Sequence, residues 1–194
     1  TMKDDLYLLV EDGWVAKVKR VIEKNKKSGK ETDKGWTCDL IPKDLVIHKY
    51  LAAEQQALQD MEASIESIQA EITGIEEEHA GEEGLLNDAT NDKGGITKTT
   101  STAFIKANKN NADEKEAVAL AKTVLDLFTK EASLKKALKA KVTELDEATL
   151  AKFKTLTEAE VRTLVVEDKW LASMQADIQT EIDAISQRLT GRIK

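Results

Sequence analysis

The feature that most constrains this chain is a narrow apolar seam that keeps a seven-residue repeat between residues 51 and 75. Its members alternate at spacings of three and four, and Glu54 occupies the one missing place: Leu51, Leu58, Met61, Ile65, Ile68, Ile72 and Ile75. This spacing predicts a helix that packs along another helix, because a broad face for a globular core needs a third apolar position per heptad. The seam residues are therefore candidate contacts, either within a helical hairpin or with a partner.

The composition favours long, solvated helices over a sheet-built core. Charged residues make up 34% of the chain and aromatic residues only 4%, and the single proline is Pro42. The lone cysteine, Cys38, excludes an internal disulfide and fits a reducing compartment. Because no stretch has the apolar length of a membrane span or the pattern of a signal segment, we expect a soluble, cytoplasmic protein without a membrane partner.

The charges are strongly segregated along the chain. No lysine or arginine occurs between Lys49 and Lys93, so this acidic span repels phosphate and cannot be a surface that tracks DNA. Lysines cluster later, between residues 130 and 141. One interpretation is that this cluster lies antiparallel to the acidic helix and neutralises it. The alternative is that it contacts phosphate, through the possible phosphate ligands Lys135, Lys136 and Lys139.

The pattern predicts a mainly α fold: a long antiparallel helical hairpin, or coiled-coil-like bundle, with a small N-terminal β-hairpin. Asp12-Gly13 between Leu6–Val10 and Trp14–Val18 is a strong hairpin signal, followed by a polar loop at about 24–34. Residues 1–40 are expected to contain this hairpin and loop. Residues 41–194 are expected to form a helical arm, with helices at about 42–79, 112–145 and 157–194, a mobile loop at about 80–100 and a short helix near 102–107.

The last predicted helix carries a second apolar stripe. Its members recur with an eleven-residue period, which fits a nearly straight helix: Leu171, Met174, Ile178, Ile182, Ile185, Leu189 and Ile193. Met174, Ile178 and Ile185 join the seam residues as candidate partner contacts. The pattern is still running at Lys194, so we expect the polypeptide to be a fragment.

Motifs that carry chemistry are missing from the sequence. There is no glycine-rich phosphate loop, no dinucleotide-binding fingerprint and no nucleophile elbow. His48 and His79 are the only histidines, and His79 is best explained as a residue at a helix C-terminus. We therefore predict no catalytic, cofactor-binding or metal-ligating residue, and no enzyme activity in this chain by itself.

Five segments, taken in order, resemble one family. They are DLYLLVEDGW (5–14), DLIP with YLAAE (39–42 and 50–54), EEGLL (82–86), LVVEDKWL (164–171) and LTGRI (189–193). Together they look like the C-terminal region of the DNA methyltransferase (M) subunit of bacterial type I restriction–modification systems. The resemblance covers essentially the whole chain.

The resemblance implies a place in a larger complex. The intact parent would transfer a methyl group from S-adenosylmethionine to adenine N6 in DNA, with motifs that these residues do not contain. Residues 1–40 would join its catalytic domain, which would lie outside this chain. The helical C-terminal region would dock on the specificity (S) subunit, in a complex with a second M subunit and the restriction (R) subunit, and it would meet DNA through that complex. The alternatives are a helical element that contacts the DNA backbone, or a self-associating coiled coil.

Overall fold

The computed structural model describes residues 2–24, 29 and 31–193, the last three by their backbone only, and it confirms a mainly helical chain with one small antiparallel sheet near its N-terminus. In chain order the α-helices and β-strands are α1 (Met2–Asp12), β1 (Val18–Lys24), β2 (Glu31–Cys38), α2 (Lys43–Tyr50), α3 (Ala52–His79), α4 (Lys98–Ala107), α5 (Lys115–Thr155), α6 (Glu158–Thr163) and α7 (Ala172–Ile193). The chain also contains a 3-10 turn at Asn87–Ala89 and a π-helical segment at Leu164–Leu171.

The N-terminal strand predicted at Leu6–Val10 is wrong, because these residues belong to α1. Gly13, which was assigned to a hairpin turn, ends this helix: its φ is 72° and its N–H donates to the Leu9 carbonyl at 3.0 Å. A glycine with positive φ serves a helix C-terminus as readily as a hairpin turn. The Asp-Gly signal was therefore correct about the turn of the backbone and wrong about the element before it.

The hairpin is formed instead by β1 and β2, which include the ends of the segment predicted as a polar loop. Residues 25–28 and 30 of that loop lie outside the described residues. Opposite charges pair across the two strands, as between Arg20 and Asp33 at 3.3 Å and between Lys34 and Glu23 at 3.2 Å. Cross-strand pairs of this kind support a strand whose residues are almost all exposed. Because the segment is highly charged, its sequence pattern indicated a loop and not two strands.

The long helices differ from the predicted ones at their ends. Leu51 leaves the helical conformation, with φ −131° and ψ 29°, and so separates α2 from α3. Helix α5 continues to Thr155, ten residues past the predicted end at 145. The short helix is confirmed as α4, which begins at a capping box formed by Thr97 and Thr100.

The connection between α3 and α4 has more apolar anchors than its sequence indicated. It was predicted as a mobile loop at about 80–100, but Leu86, Ala89 and Ile96 are all buried. Thr90 and Ile96 also form an isolated β-bridge, and the N–H of Ile96 donates to Glu76 Oε1 at 2.7 Å. These contacts tie the connection to the end of α3.

The chain divides into two compact units at places other than the predicted boundary after residue 40. Unit 1 consists of Thr1–Gln55 and Leu145–Lys194, and unit 2 consists of Gln56–Glu144. The buried core of unit 1 contains Trp36, Cys38, Leu40, Ile41, Val46, Phe153, Val161, Leu164 and Val165. The buried core of unit 2 contains Leu86, Ala89, Ile96, Phe104, Ala117, Val118, Ala121 and Val124.

A buried carboxylate, that of Asp5 in α1, connects distant parts of unit 1. Lys169 Nζ donates to its Oδ1 at 2.7 Å, and Trp170 Nε1 donates to its Oδ2 at 2.7 Å. The same lysine also donates to the Leu40 carbonyl at 2.6 Å. Asp5 is only 2% exposed, so these bonds replace the water that an ionised carboxylate needs. The cluster fixes α1 to the π-helical segment.

The start of α6 provides a second polar anchor. Thr157 and Glu160 form a capping box, and Lys152 in α5 donates to Glu160 Oε1 at 2.8 Å. The hydrogen bond from Lys152, followed by those from Thr157, lowers the pKa of Glu160 from its ordinary 4.5 to about 2. The ionised carboxylate therefore joins α5 to α6.

Replacing Asp5 should destabilise unit 1 severely. Asp5→Ala leaves the ammonium group of Lys169 poorly compensated in a mostly buried site, which we expect to cost about 3 kcal/mol of the free energy of unfolding. Urea denaturation followed by circular dichroism measures the change. Glu11→Ala, at an exposed position of the same helix, is the control and should shift the free energy by less than about 0.5 kcal/mol. Equal effects for the two variants would contradict the role given to Asp5.

Glu160 should make the free energy of unfolding depend on pH in the acidic range. Because its folded pKa is lowered, its stabilisation is complete above the unfolded value of 4.5 and is lost as the pH falls through about 2. We therefore expect Glu160→Gln to flatten the fall in stability across this window, relative to the wild type. Chemical denaturation at a series of pH values tests this, with the exposed Glu147→Gln as control. A curve for Glu160→Gln that runs parallel to the wild-type curve would refute the assignment.

Candidate interaction surfaces

The seam of α3 is largely covered by α5 within unit 2. Ile65 and Ile72 are buried, and Leu58, Met61, Ile68 and Ile75 are half-buried. At the middle of the seam, Ile65 and Leu138 line one groove of about 290 Å³, and further along α3 Gln69 Nε2 donates to Glu131 Oε1 at 2.7 Å. Residue numbers rise along α3 as they fall along α5, so the two helices are antiparallel.

The burial of the α3 seam shows which of the predicted contacts are made within this chain. From Leu58 to Ile75 the seam residues of α3 are buried or half-buried against this chain's own residues, and Ile75 packs against the core of unit 2. Leu51 belongs to unit 1 and is half-buried at the break between α2 and α3. The α3 seam is thus mainly an intramolecular contact.

The three predicted phosphate contacts lie in different environments. Lys135 lines the groove beside Glu62 and Glu66, and its ammonium group forms an ion pair with Glu131 at 2.6 Å. Hydrogen bonds from Lys135 and then Gln69 lower the pKa of Glu131. The contacts of Lys135 therefore favour neutralisation of acidic side chains. Lys136 and Lys139 are exposed and have no ion pair among the described residues, so their role as phosphate contacts stays a prediction.

Helix α7, together with Leu171 just before it, carries six of the fifteen large hydrophobic residues that are exposed in the described chain, more than any other element. All residues of 171–190 are exposed except Ala184, which is intermediate. The apolar stripe is about half exposed throughout, at Leu171 (53%), Met174 (48%), Ile178 (59%), Ile182 (50%), Ile185 (49%) and Leu189 (56%). At 1.5 Å per residue this stripe is roughly 27 Å long. A row of exposed apolar side chains along one helix face is typical of a surface that packs against another helix, and we treat it as a candidate interaction surface.

The two flanks of the α7 stripe differ in charge. With 3.6 residues per turn, Asp177, Glu181 and Arg188 fall along one edge of the stripe. The other edge carries the uncharged residues Gln175, Gln179 and Ser186. Any helix that packs on the stripe therefore meets charges on one side only, and this asymmetry is available for orienting the partner.

Three of the six exposed stripe residues were predicted as interface residues, namely Met174, Ile178 and Ile185. Leu171, Ile182 and Leu189 belong to the same surface, and the eleven-residue period already placed them on one face. The sequence could not separate the covered stripe of α3 from the free stripe of α7, since both have helical spacing. Only the position of α5 distinguishes them.

Two other features of the described residues concern ionisable side chains. Cys38 is buried, and burial raises the pKa of its thiol, which keeps it protonated. Acidic residues, including Glu82, Asp88 and Glu114, line a polar cavity of about 270 Å³ in unit 2.

No group of three or more His, Cys, Asp or Glu side chains in the described part of the chain is placed to hold a metal ion. None of the described helices has the length and apolar character required to cross a bilayer.

Comparison with models of known protein families, with curated proteins and with solved structures finds no match to this chain. The function proposed for it therefore rests on its own residues and on the resemblance of the five sequence segments.

A matched pair of substitutions separates the covered stripe from the free one. Ile72→Ala opens a cavity at a side chain that is 8% exposed, and we expect it to cost about 2–4 kcal/mol in the free energy of unfolding. Ile178→Ala removes the same atoms from a side chain that is 59% exposed, so it should cost much less, about 0.5 kcal/mol. Urea denaturation of both variants gives the comparison. A larger loss for Ile178→Ala would contradict the exposure of α7.

Proposed function

We propose that this chain is the C-terminal assembly module of a type I restriction–modification M subunit, and that it docks on the specificity subunit through α7. The observation that carries this proposal is the free apolar stripe of α7, which contrasts with the covered stripe of α3. The five segments that resemble the M subunit family supply the identity of the partner.

The energetics favour a partner that forms its own apolar seam. Each half-exposed aliphatic side chain gains roughly 1 kcal/mol when it is fully buried, so the six stripe residues provide about 6 kcal/mol on this side of an interface. Association costs at least about 4 kcal/mol in lost translational and rotational freedom. A lasting complex therefore requires a comparable apolar surface on the partner, as the long spacer helices expected of a specificity subunit would provide.

The chemistry of the proposed parent would lie in residues outside this chain. The chain would position an S-adenosylmethionine-dependent adenine-N6 methyltransferase domain relative to the subunit that selects the DNA sequence. The second M subunit and the restriction subunit would join through the same complex. The chain itself is proposed to be an assembly element and not an enzyme.

Direct DNA binding by the chain is the less supported alternative. Its net charge is −7, and Lys135, one of its three candidate phosphate ligands, already neutralises a carboxylate. Because each phosphate contact adds to the salt dependence of binding, the two remaining lysines would hold DNA only weakly at physiological salt.

The docking proposal predicts loss of the complex when charge is placed in the stripe. Ile178→Asp should weaken binding to the specificity subunit encoded with the parent by at least about tenfold, because a carboxylate would be buried without a partner. Size-exclusion chromatography of the mixed proteins, followed by isothermal titration calorimetry, measures this. The control Gln187→Asp introduces the same charge on the opposite side of α7 and should leave binding unchanged. Two unshifted peaks for the wild-type mixture at micromolar concentration would count against the proposal.

A further inference from the structure

We propose that α7 is also a homodimerisation helix: in the chain alone, the stripe of one copy packs antiparallel on the same stripe of a second copy. This proposal does not depend on the identity of the specificity subunit. Since both partners would use one face, the specificity subunit would have to displace the second copy as the larger complex forms.

The apolar stripe is almost symmetric about its middle. When α7 is turned end for end about Ile182, Ile178 comes opposite Ile185 of the second copy, and Met174 comes opposite its Leu189. Each of these pairs departs from perfect symmetry by one residue, which is about 1.5 Å along the helix axis. Two copies can therefore bury their stripes against each other along most of the exposed length of α7.

The charged flank selects the antiparallel orientation. In an antiparallel pair of helices related by a twofold axis, the same flank of each helix meets its own copy. This arrangement brings Asp177 opposite Arg188 of the second copy, and the symmetry repeats the pair. A parallel arrangement would instead place the charged flank against Gln175, Gln179 and Ser186, and neither ion pair would form. The same arrangement brings Glu181 near Glu181 of the second copy, so one repulsive pair stands against two attractive pairs. The balance of charge still favours the antiparallel orientation over the parallel one, in which no ion pair forms.

The exposure and the size of the apolar stripe determine how tightly two copies are expected to bind each other. Nearly every residue of α7 through Thr190 is exposed, so no described part of the chain blocks the stripe. A contact roughly 27 Å long and one helix wide is smaller than a standard interface of about 800 Å² per partner. We therefore expect a dissociation constant in the micromolar range, which makes the dimer reversible and open to exchange with another partner.

A charge-swap experiment tests the orientation. Sedimentation equilibrium of the full chain across the micromolar range should show a monomer–dimer equilibrium. Asp177→Arg and Arg188→Asp each replace two attractive pairs by two repulsive pairs, so each should weaken dimerisation by roughly three- to tenfold at low salt. The double variant with both substitutions restores opposite charges and should return to wild-type affinity. Asp183→Arg, on the far side of the helix, is the control with the same change of charge as Asp177→Arg and should have no effect.

Cross-linking gives an independent readout of the same geometry. In a Cys38→Ala background, a variant with both Met174→Cys and Leu189→Cys should be linked into dimers by a short bis-maleimide. The variant with Met174→Cys alone should not, because an antiparallel pair separates the two copies of this position by about 24 Å.

Three outcomes would overturn the proposal. A clean monomer throughout the micromolar range excludes the dimer. A charge-swapped double variant that remains as weak as the single variants excludes the Asp177–Arg188 pairing. Efficient self-linking of Met174→Cys shows a parallel pair. All three measurements use the chain alone, so failure of docking on the specificity subunit would leave them unaffected.

Discussion

The arrangement of unit 1 depends on the buried carboxylate of Asp5. An ionised group that is almost completely buried is tolerable only when donors surround it, and here both donors come from residues more than 160 positions away in the sequence. Lys169 also holds the Leu40 carbonyl, so one ammonium group joins α1, the start of the α2 region and the π-helical segment. Helix α7 begins two residues after Trp170, so the hydrogen bonds to Asp5 fix the N-terminal end of this helix.

The chain uses two apolar stripes in two different ways. The stripe on α3 has almost no other apolar residue beside it, yet α5 covers it and the polar margin between them is closed by the Gln69–Glu131–Lys135 hydrogen bonds. The stripe on α7 has similar side chains and similar spacing, but nothing in the described chain covers it. A similar local pattern therefore stabilises the fold in one place and remains available for association in the other.

The sequence predicted those features that depend on periodicity, and it failed where charge or long-range contacts decide the structure. The α3 seam and the long α5 followed from apolar spacing, and the antiparallel placement of α5 followed from the lysine cluster that faces the acidic helix. The hairpin was misplaced because β1 and β2 are charged and are supported by cross-strand ion pairs such as Arg20–Asp33. Asp5 gave no local signal either, since an acidic residue in the first turn of a helix is ordinary and its donors lie at the far end of the chain. For the candidate surface, the sequence identified the stripe of α7 but could not show that it is uncovered.

The π-helical segment at Leu164–Leu171 has a geometric consequence for α7. Its turns are wider than α-helical ones, because the backbone hydrogen bonds span five residues instead of four. Each residue in the segment consequently rotates the chain less about the axis, and over eight residues the angular phase of everything downstream is shifted. The face that buries Val161, Leu164 and Val165 and the face that presents Met174 and Ile178 belong to one continuous helical path with this phase shift between them. The residues of the π-helical segment thus determine the direction in which the apolar stripe of α7 faces. Deleting one residue from this segment would rotate the stripe about the helix axis without changing its composition.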